Sequence, residues 1–139
     1  MEIVVLLGRI LFCAIFLAAG IGQLAAPENG AQQARARRIR FSTPAMVRVA
    51  GAVQILGGTS VLLGIWGDIG SLLLLLFLIP ATVIYHAFWD QPHPMDRAAE
   101  QAHFMKNLSL CGAAIVMFGL FAGLGQDLGM TLSQPLIRL

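Results

Sequence analysis

The side chains best suited to chemistry are gathered in one stretch, residues 85–107, which contains all three histidines of the chain. The candidate ligand-binding residues are His86, Trp89, His103, Lys106 and Asn107, together with Gln23 from a distant segment. A quinone requires such a set: donors for two carbonyl oxygens, aromatic surface for the ring and an apolar slot for the tail. We therefore predict a quinone pocket. The alternative is that His86 and Lys106 only anchor helix ends at the membrane interface.

The elements that carry these residues are apolar. The chain of 139 residues is 58% hydrophobic and 12% charged, which is outside the range of water-soluble domains. Four apolar segments, over about residues 3–26, 45–66, 69–89 and 103–125, are each close to the ~20 residues of a membrane-spanning helix. The helices are predicted over about residues 3–26, 45–66, 69–89 and 97–125. We predict an all-α protein, an integral membrane four-helix bundle forming a single domain over residues 1–139.

The basic residues predict the orientation of this bundle. They are Arg35, Arg37, Arg38 and Arg40 in the loop 27–44, Arg48 just beyond it, and Arg97 and Lys106 around the link between the third and fourth segments. Because Lys and Arg collect in cytoplasmic loops, both termini should face the outer side. The loop is too short to argue for nucleic-acid binding, and we expect it to contact the lipid bilayer. No basic n-region follows Met1, so we expect the first segment to be retained rather than cleaved.

Arg9 and Gln54 are the polar residues of the apolar segments that we predict to be buried. Arg9 is expected either to face a buried partner or to extend to the outer headgroups. Small residues that predict close helix packing are Ala18, Gly22, Gly57, Gly58, Ser60, Gly64, Gly119 and Gly123.

Redox and metal chemistry have less support in the sequence. Cys13 and Cys111 lie at similar depths but form no Cys-x-x-Cys motif, so we interpret them as small apolar residues rather than a redox pair. Glu100 and His103 form a single Glu-x-x-His pair, whereas a di-iron carboxylate bundle needs two. We predict no metal site.

The order of the polar and small residues resembles a known family. The motifs are Arg9, Gly20-Ile21-Gly22-Gln23-Leu24, Gln54-Ile55-Leu56-Gly57-Gly58, His86-Ala87-Phe88-Trp89 and His103-Phe104-Met105-Lys106-Asn107. Over nearly the whole chain they resemble the DoxX family of small bacterial four-helix membrane proteins. The resemblance implies a multi-pass protein of the bacterial plasma (inner) membrane. Relatives include the membrane subunit of a thiosulfate:quinone oxidoreductase, and some members are linked to thiol-stress oxidoreductase complexes.

The chain departs from the family pattern at two positions. Gln23 stands where relatives often carry Lys, and Gln54 where they often carry Glu. An ion pair would then be replaced by an amide pair, which costs less to bury in lipid. Idealised helix geometry, however, separates the two residues by about 12 Å in depth.

Two classes of function remain open. The first, which the resemblance implies, is a membrane subunit of an oxidoreductase system acting on thiols or sulfur compounds, linked to quinone and to protein partners. The second is a non-catalytic membrane adaptor or assembly protein, whose small-residue faces recruit partners or further copies of the chain. The sequence does not decide whether the protein is itself an enzyme.

Overall fold

The computed structural model describes residues 2–36, 39 and 42–139. Five α-helices follow one another: α1 (Glu2–Ala25), α2 (Pro27–Ala36), α3 (Pro44–Leu63), α4 (Gly67–Tyr85) and α5 (Pro94–Leu124), with short 3₁₀ turns at Phe88–Asp90 and Gly125–Leu128. Within these ranges no strand occurs. Of the described helices, α1, α3, α4 and α5 are long and apolar enough to span a membrane, which confirms the predicted all-α four-helix membrane fold.

The link between the first two spans differs from the predicted loop. Residues 27–36 form the helix α2, which packs on α3 and buries Ala31 and Ala34. Pro27 and Glu28 stand in its first turn, where a fixed φ and a negative charge both favour helix. Sequence reasoning missed α2 because its apolar face consists of small alanines. The predicted contacts of Arg37, Arg38 and Arg40 with lipid lie outside the described residues.

The ends of the third and fourth spans also differ from the predicted limits. The helix α4 ends at Tyr85 rather than at residue 89, and the chain then makes a 3₁₀ turn. The helix α5 begins at Pro94 rather than at residue 97, because Pro is well tolerated in a first turn, where its missing N–H is not needed. The candidate residues His86 and Trp89 therefore lie just beyond α4 rather than within it.

The bundle has two distinct ends. At the first, which we call the termini end, Gly129 lies against Glu2 and Arg9 bonds to Met130, so both ends of the chain meet there. At the other, the hairpin end, α2 links α1 to α3 and the turn after α4 leads into α5. The assignment of the hairpin end to the cytoplasmic side remains a prediction from charge.

The core between the spans is built from α1, α3, α4 and α5. Its buried members are Phe12, Cys13, Phe16, Val61, Leu74, Leu78, Ala114, Phe121 and Leu128. The two cysteines are free thiols, Cys13 buried and Cys111 packed at the edge of this core. Both therefore occupy the positions of small apolar residues.

The closest approach of α1 and α3 is at two glycines. A Cβ atom on Gly20 would lie 2.8 Å from the carbonyl oxygen of Gly51, and one on Gly51 would lie 2.9 Å from the carbonyl oxygen of Gly20. Two helix backbones can come this close only where both lack side chains. Gly51 was not among the predicted packing residues.

The predicted packing residues of α3 do make close contacts. Leu74 packs over Gly57 and Leu17 over Gly58, while Gly64 ends α3 with a φ of 66° that favours glycine. The hydroxyl of Ser60 donates to the carbonyl oxygens of Ile65 and Trp66, so it stabilises the turn after α3.

The predicted packing pairs on α1 and α5 do not pack within the chain. Ala18 is exposed, and a Cβ on Gly22, Gly119 or Gly123 would meet no described atom within 4 Å. Their role in packing, within the bundle or between copies of the chain, therefore stays a prediction, because sequence spacing identifies a small face without showing which way it points.

We expect Gly20→Ala to destabilise the protein and Gly22→Ala, two residues away on the same helix, to leave it as stable or slightly more so. Gly20→Ala places a methyl group against a backbone oxygen and should lower the free energy of unfolding by about 1–3 kcal/mol, as overpacking does. The second replaces an open helical glycine and should gain about 0.5–1 kcal/mol. Thermal unfolding in detergent measures both. Equal melting temperatures would contradict the close approach.

At the termini end, Arg9 holds the C-terminal segment. Its side chain is fully buried, and its guanidinium donates to the carbonyl oxygens of Val61 (2.9 Å), Leu62 (2.5 Å) and Met130 (3.0 Å). The guanidinium carbon also lies 5.3 Å from the ring centre of Phe121. Arg9 therefore faces buried partners, and the alternative of extension to the headgroups is wrong.

A buried carboxylate fixes the same segment from α4. One oxygen of Asp68 accepts from the backbone N–H groups of Leu136 (2.9 Å) and Ile137 (2.7 Å). The other carboxylate oxygen is buried and has no described hydrogen-bond partner. Arg9 and Asp68 together tie the segment after α5 across the termini end.

We expect Arg9→Met to lower stability and to expose the C-terminal segment to protease. A hydrogen bond to a charged group contributes about 1.5–3 kcal/mol, so the loss should be at least about 2 kcal/mol. The matched control is Arg48→Met, because Arg48 is exposed and pairs only at the surface with Glu28 at 3.3 Å. Similar proteolysis of the two variants would contradict the role of Arg9.

Candidate functional site

A cavity of about 380 Å³ opens at the hairpin end of the bundle. Its walls come from α1, α2, α3, α4 and α5 and from His86 just after α4. The polar lining residues are Gln23, Gln33, Gln54, Tyr85, His86, Lys106 and Asn107. Its deeper wall is apolar and includes Phe16, Phe77, Leu78 and Leu110. A polar rim over an apolar wall is typical of small-molecule sites.

The structure brings together four of the six predicted ligand-binding residues: Gln23, His86, Lys106 and Asn107. Trp89 does not line the cavity; it is half-exposed and packs edge-on against Phe88 and Phe104. His103 lies outside too, stacked on the ring of His86.

Three further lining residues were not predicted as ligand-binding. Gln54 was predicted only as a buried polar residue. Tyr85 was not singled out, although it directly precedes His86 in the chain. Gln33 lies on α2, and nothing in the sequence could have placed it here while that helix was interpreted as a loop.

The two glutamines are bonded to each other. The Gln54 amide nitrogen donates to the Gln23 amide oxygen at 2.9 Å and to the carbonyl oxygen of Ala50 at 3.2 Å. The two side chains meet although idealised helix geometry separates the residues by about 12 Å in depth. They can do so because each lies against the glycine of the facing helix, Gln23 against Gly51 and Gln54 against Gly20. The amides then extend toward each other. The Gln23 nitrogen and the Gln54 oxygen bond to no described residue.

His86 is oriented by a carboxylate. Its Nδ1 lies 2.7 Å from Oε2 of Glu100, and the two side chains are 18% and 13% exposed. The ring of His103 stacks on it with centroids 5.2 Å apart and planes 25° apart. A carboxylate partner favours the proton on Nδ1, which leaves Nε2 as the nitrogen available to a ligand. The sequence pattern placed Glu100, His103 and Asn107 on one helical face, and that face meets His86.

Asn107 and Lys106 bring unused hydrogen-bonding groups to the cavity. Asn107 is only 8% exposed, yet its amide bonds to no described residue. Buried amides are normally hydrogen-bonded, so this group is placed to bond a ligand or water. The ammonium of Lys106 forms no ion pair with the part of the chain that the structure describes. Both are donors at one side of the cavity.

Metal ligands are not gathered in this region. Across residues 2–36, 39 and 42–139, no three His, Cys, Asp or Glu side chains are grouped in a way that could hold a metal ion. The polar groups of the cavity are instead amides, an imidazole, a phenol and an ammonium, which suit an organic ligand with carbonyl oxygens.

The fold and site define a class: a helical membrane protein whose four spans enclose a polar pocket at one end. Comparison with known proteins identifies the family. The DoxX family model matches residues 4–87, more than half of the chain, and the chain belongs to the DoxX family. The matched part contains Gln23, Gln54 and His86, whereas Lys106 and Asn107 follow it. Comparison with curated proteins found no match, and neither did comparison with solved structures.

We expect Gln23→Lys and Gln54→Glu each to destabilise the protein and the double variant to recover most of the loss. Each single change leaves one charge beside a neutral amide inside the membrane span, whereas the double change pairs the charges. Contacting residues couple by about 0.5–3 kcal/mol in a double-mutant cycle. Unfolding of all four forms in one detergent measures this energy. Additive losses would contradict the hydrogen bond between the two side chains.

Proposed function

We propose that this DoxX-family protein is a membrane subunit of a thiol or sulfur oxidoreductase system and that its hairpin-end pocket binds a quinone. The observation that carries the proposal is the set of unused polar groups around one cavity, above all the amide of Asn107, a largely buried residue whose polar atoms are open to the cavity. The ammonium of Lys106 and the Gln23 amide nitrogen are further donors. Together they match the two carbonyl oxygens of a quinone ring.

The shape and lining of the cavity also suit this ligand. Its volume of about 380 Å³ is near the lower limit for small-molecule pockets, which fits a ring-sized head group. Phe16 and Phe77 supply aromatic surface, and Leu78 and Leu110 supply an apolar wall. The pocket therefore offers polar contacts at its rim and a ring slot beneath them.

A bound quinone supplies a site that takes up two electrons and two protons. The chain's own part is to hold the ring and to move protons. Lys106 and Asn107 orient the ring through its oxygens, and His86 exchanges a proton at Nε2. Glu100, whose Oε2 lies 2.7 Å from Nδ1, orients the imidazole ring. In this proposal a partner protein delivers the electrons, and the hairpin end faces the cytoplasm of a bacterial plasma membrane.

A second candidate function is an adaptor or assembly subunit. It is favoured by the open small-residue faces, Ala18 with Gly22 on α1 and Gly119 with Gly123 on α5, which contact no other described helix. In lipid, small-xxx-small faces allow another helix to approach closely. A partner protein or a second copy of the chain would then bind there without any need for the pocket.

We expect Asn107→Leu to lose bound quinone and Ser109→Leu to retain it. Ser109 is the matched control, because it lies two residues along α5 on the exposed surface and bonds only to the carbonyl oxygen of Met105. Organic extraction and mass spectrometry of gently purified protein measure quinone per chain. Wild type and control should carry about one, and Asn107→Leu at least about tenfold less, since 1.4 kcal/mol corresponds to a factor of ten.

Further variants separate the two candidate functions. His86→Ala should also lower the quinone content without changing which proteins co-purify. If no form binds quinone, even after incubation with an excess, the quinone function is wrong. Loss of co-purifying proteins in Gly119→Leu, with Asn107→Leu indistinguishable from wild type, would support the adaptor function instead.

A further inference from the structure

A second cavity lies on the lipid-facing side of the bundle, between α3 and α4. It is a groove of about 510 Å³ with an almost entirely apolar lining. Its walls are Ala45, Met46, Val49, Ala50 and Val53 on α3, and Leu73, Leu76 and Phe77 on α4. We call it the lipid-facing groove. It contains no charged side chain, so it cannot hold a polar head group.

The groove adjoins the pocket. Ala50 and Phe77 line both cavities, so these two residues stand between the pocket and the groove. Ala50 also accepts the hydrogen bond from Gln54, which fixes the position of the glutamine pair relative to this border.

From this adjacency we propose that the lipid-facing groove holds the long apolar tail of the ligand whose head group lies in the pocket, with the tail passing between Ala50 and Phe77. The inference rests on the proposed function and narrows its ligand class to quinones with a long tail. The pocket has room for a ring but little more. A long tail must therefore leave it, and the groove leads the tail to lipid without crossing the polar rim at His86 and Lys106.

The groove stabilises the bound tail through packing contacts rather than through removal of the tail from water. Lipid tails are as apolar as the side chains of the groove, so a tail gains little from leaving lipid. What it gains is close packing against Val49, Val53 and Leu76, and a fixed direction for the ring. Filling the groove should thus weaken binding of tailed ligands alone, while the head-group contacts persist.

The test uses two variants that fill the groove, Val49→Trp and Leu76→Trp. Their matched controls are Leu56→Trp on α3 and Ile79→Trp on α4, which are exposed apolar residues outside the groove. Val49 and Leu56 are equally exposed, at 64%. Probes are a benzoquinone and a naphthoquinone head group, each with no tail and with a tail of several isoprene units. Affinity is measured for each probe in nanodiscs of one lipid composition.

We expect both groove variants to bind tailed probes at least about tenfold more weakly and untailed probes as wild type does, with both controls unchanged. Comparing each variant with wild type for the same probe removes the effect of partition into lipid. If the groove variants bind tailed probes with unchanged affinity, the inference is overturned, while the proposed quinone pocket still stands. If they bind tailed and untailed probes equally more weakly, the inference is also overturned. If wild type binds none of the probes, the proposed function fails, and the inference fails with it.

Discussion

The site depends on the contact of two helix backbones at Gly20 and Gly51. Because neither residue has a side chain, α1 and α3 approach until each carbonyl oxygen lies within 2.9 Å of the position that a Cβ on the other residue would take. Three residues further along each helix, Gln23 and Gln54 reach across this contact and bond to each other at 2.9 Å. The bond leaves one donor and one acceptor of the pair at the cavity. A wider separation of the helices would remove both the bond and the wall that it forms.

The two ends of the bundle differ in how their polar groups are hydrogen-bonded. At the termini end, all three donating nitrogens of Arg9 bond to backbone carbonyls and Asp68 binds two backbone N–H groups, so polar groups there serve to fix the chain. At the hairpin end, the amide of the buried residue Asn107 and the ammonium of the exposed Lys106 line the cavity and bond to no described residue. Polar groups within a membrane protein are normally satisfied internally. One oxygen of Asp68 at the termini end is also unpartnered, but it is buried within the protein, whereas the unused groups at the hairpin end face a cavity. The hairpin end is therefore the end that can accept a ligand.

Much of the fold follows from composition, since four apolar segments of spanning length leave few alternatives to a helical bundle. The grouping of His86 with Lys106 and Asn107 was also predictable, because antiparallel helices joined by a short link bring neighbouring ends together. Other features depend on side-chain reach and on facing direction. Gln23 and Gln54 are in contact, although idealised helix geometry placed the two residues far apart in depth. That estimate took no account of the length of two glutamine side chains. The outward direction of Gly119 could not be known from spacing alone, which is the same for either face of a helix.

The most direct test of the account is photoaffinity labelling with a quinone whose head group carries a photoreactive azide, followed by mass spectrometry of the labelled peptides. The account predicts adducts at the cavity wall, on peptides that contain Gln23, His86 or Asn107, and their loss when excess unlabelled quinone competes. Adducts confined to lipid-facing residues or to the termini end near Arg9, or labelling that competition does not reduce, would contradict a quinone site at the hairpin end.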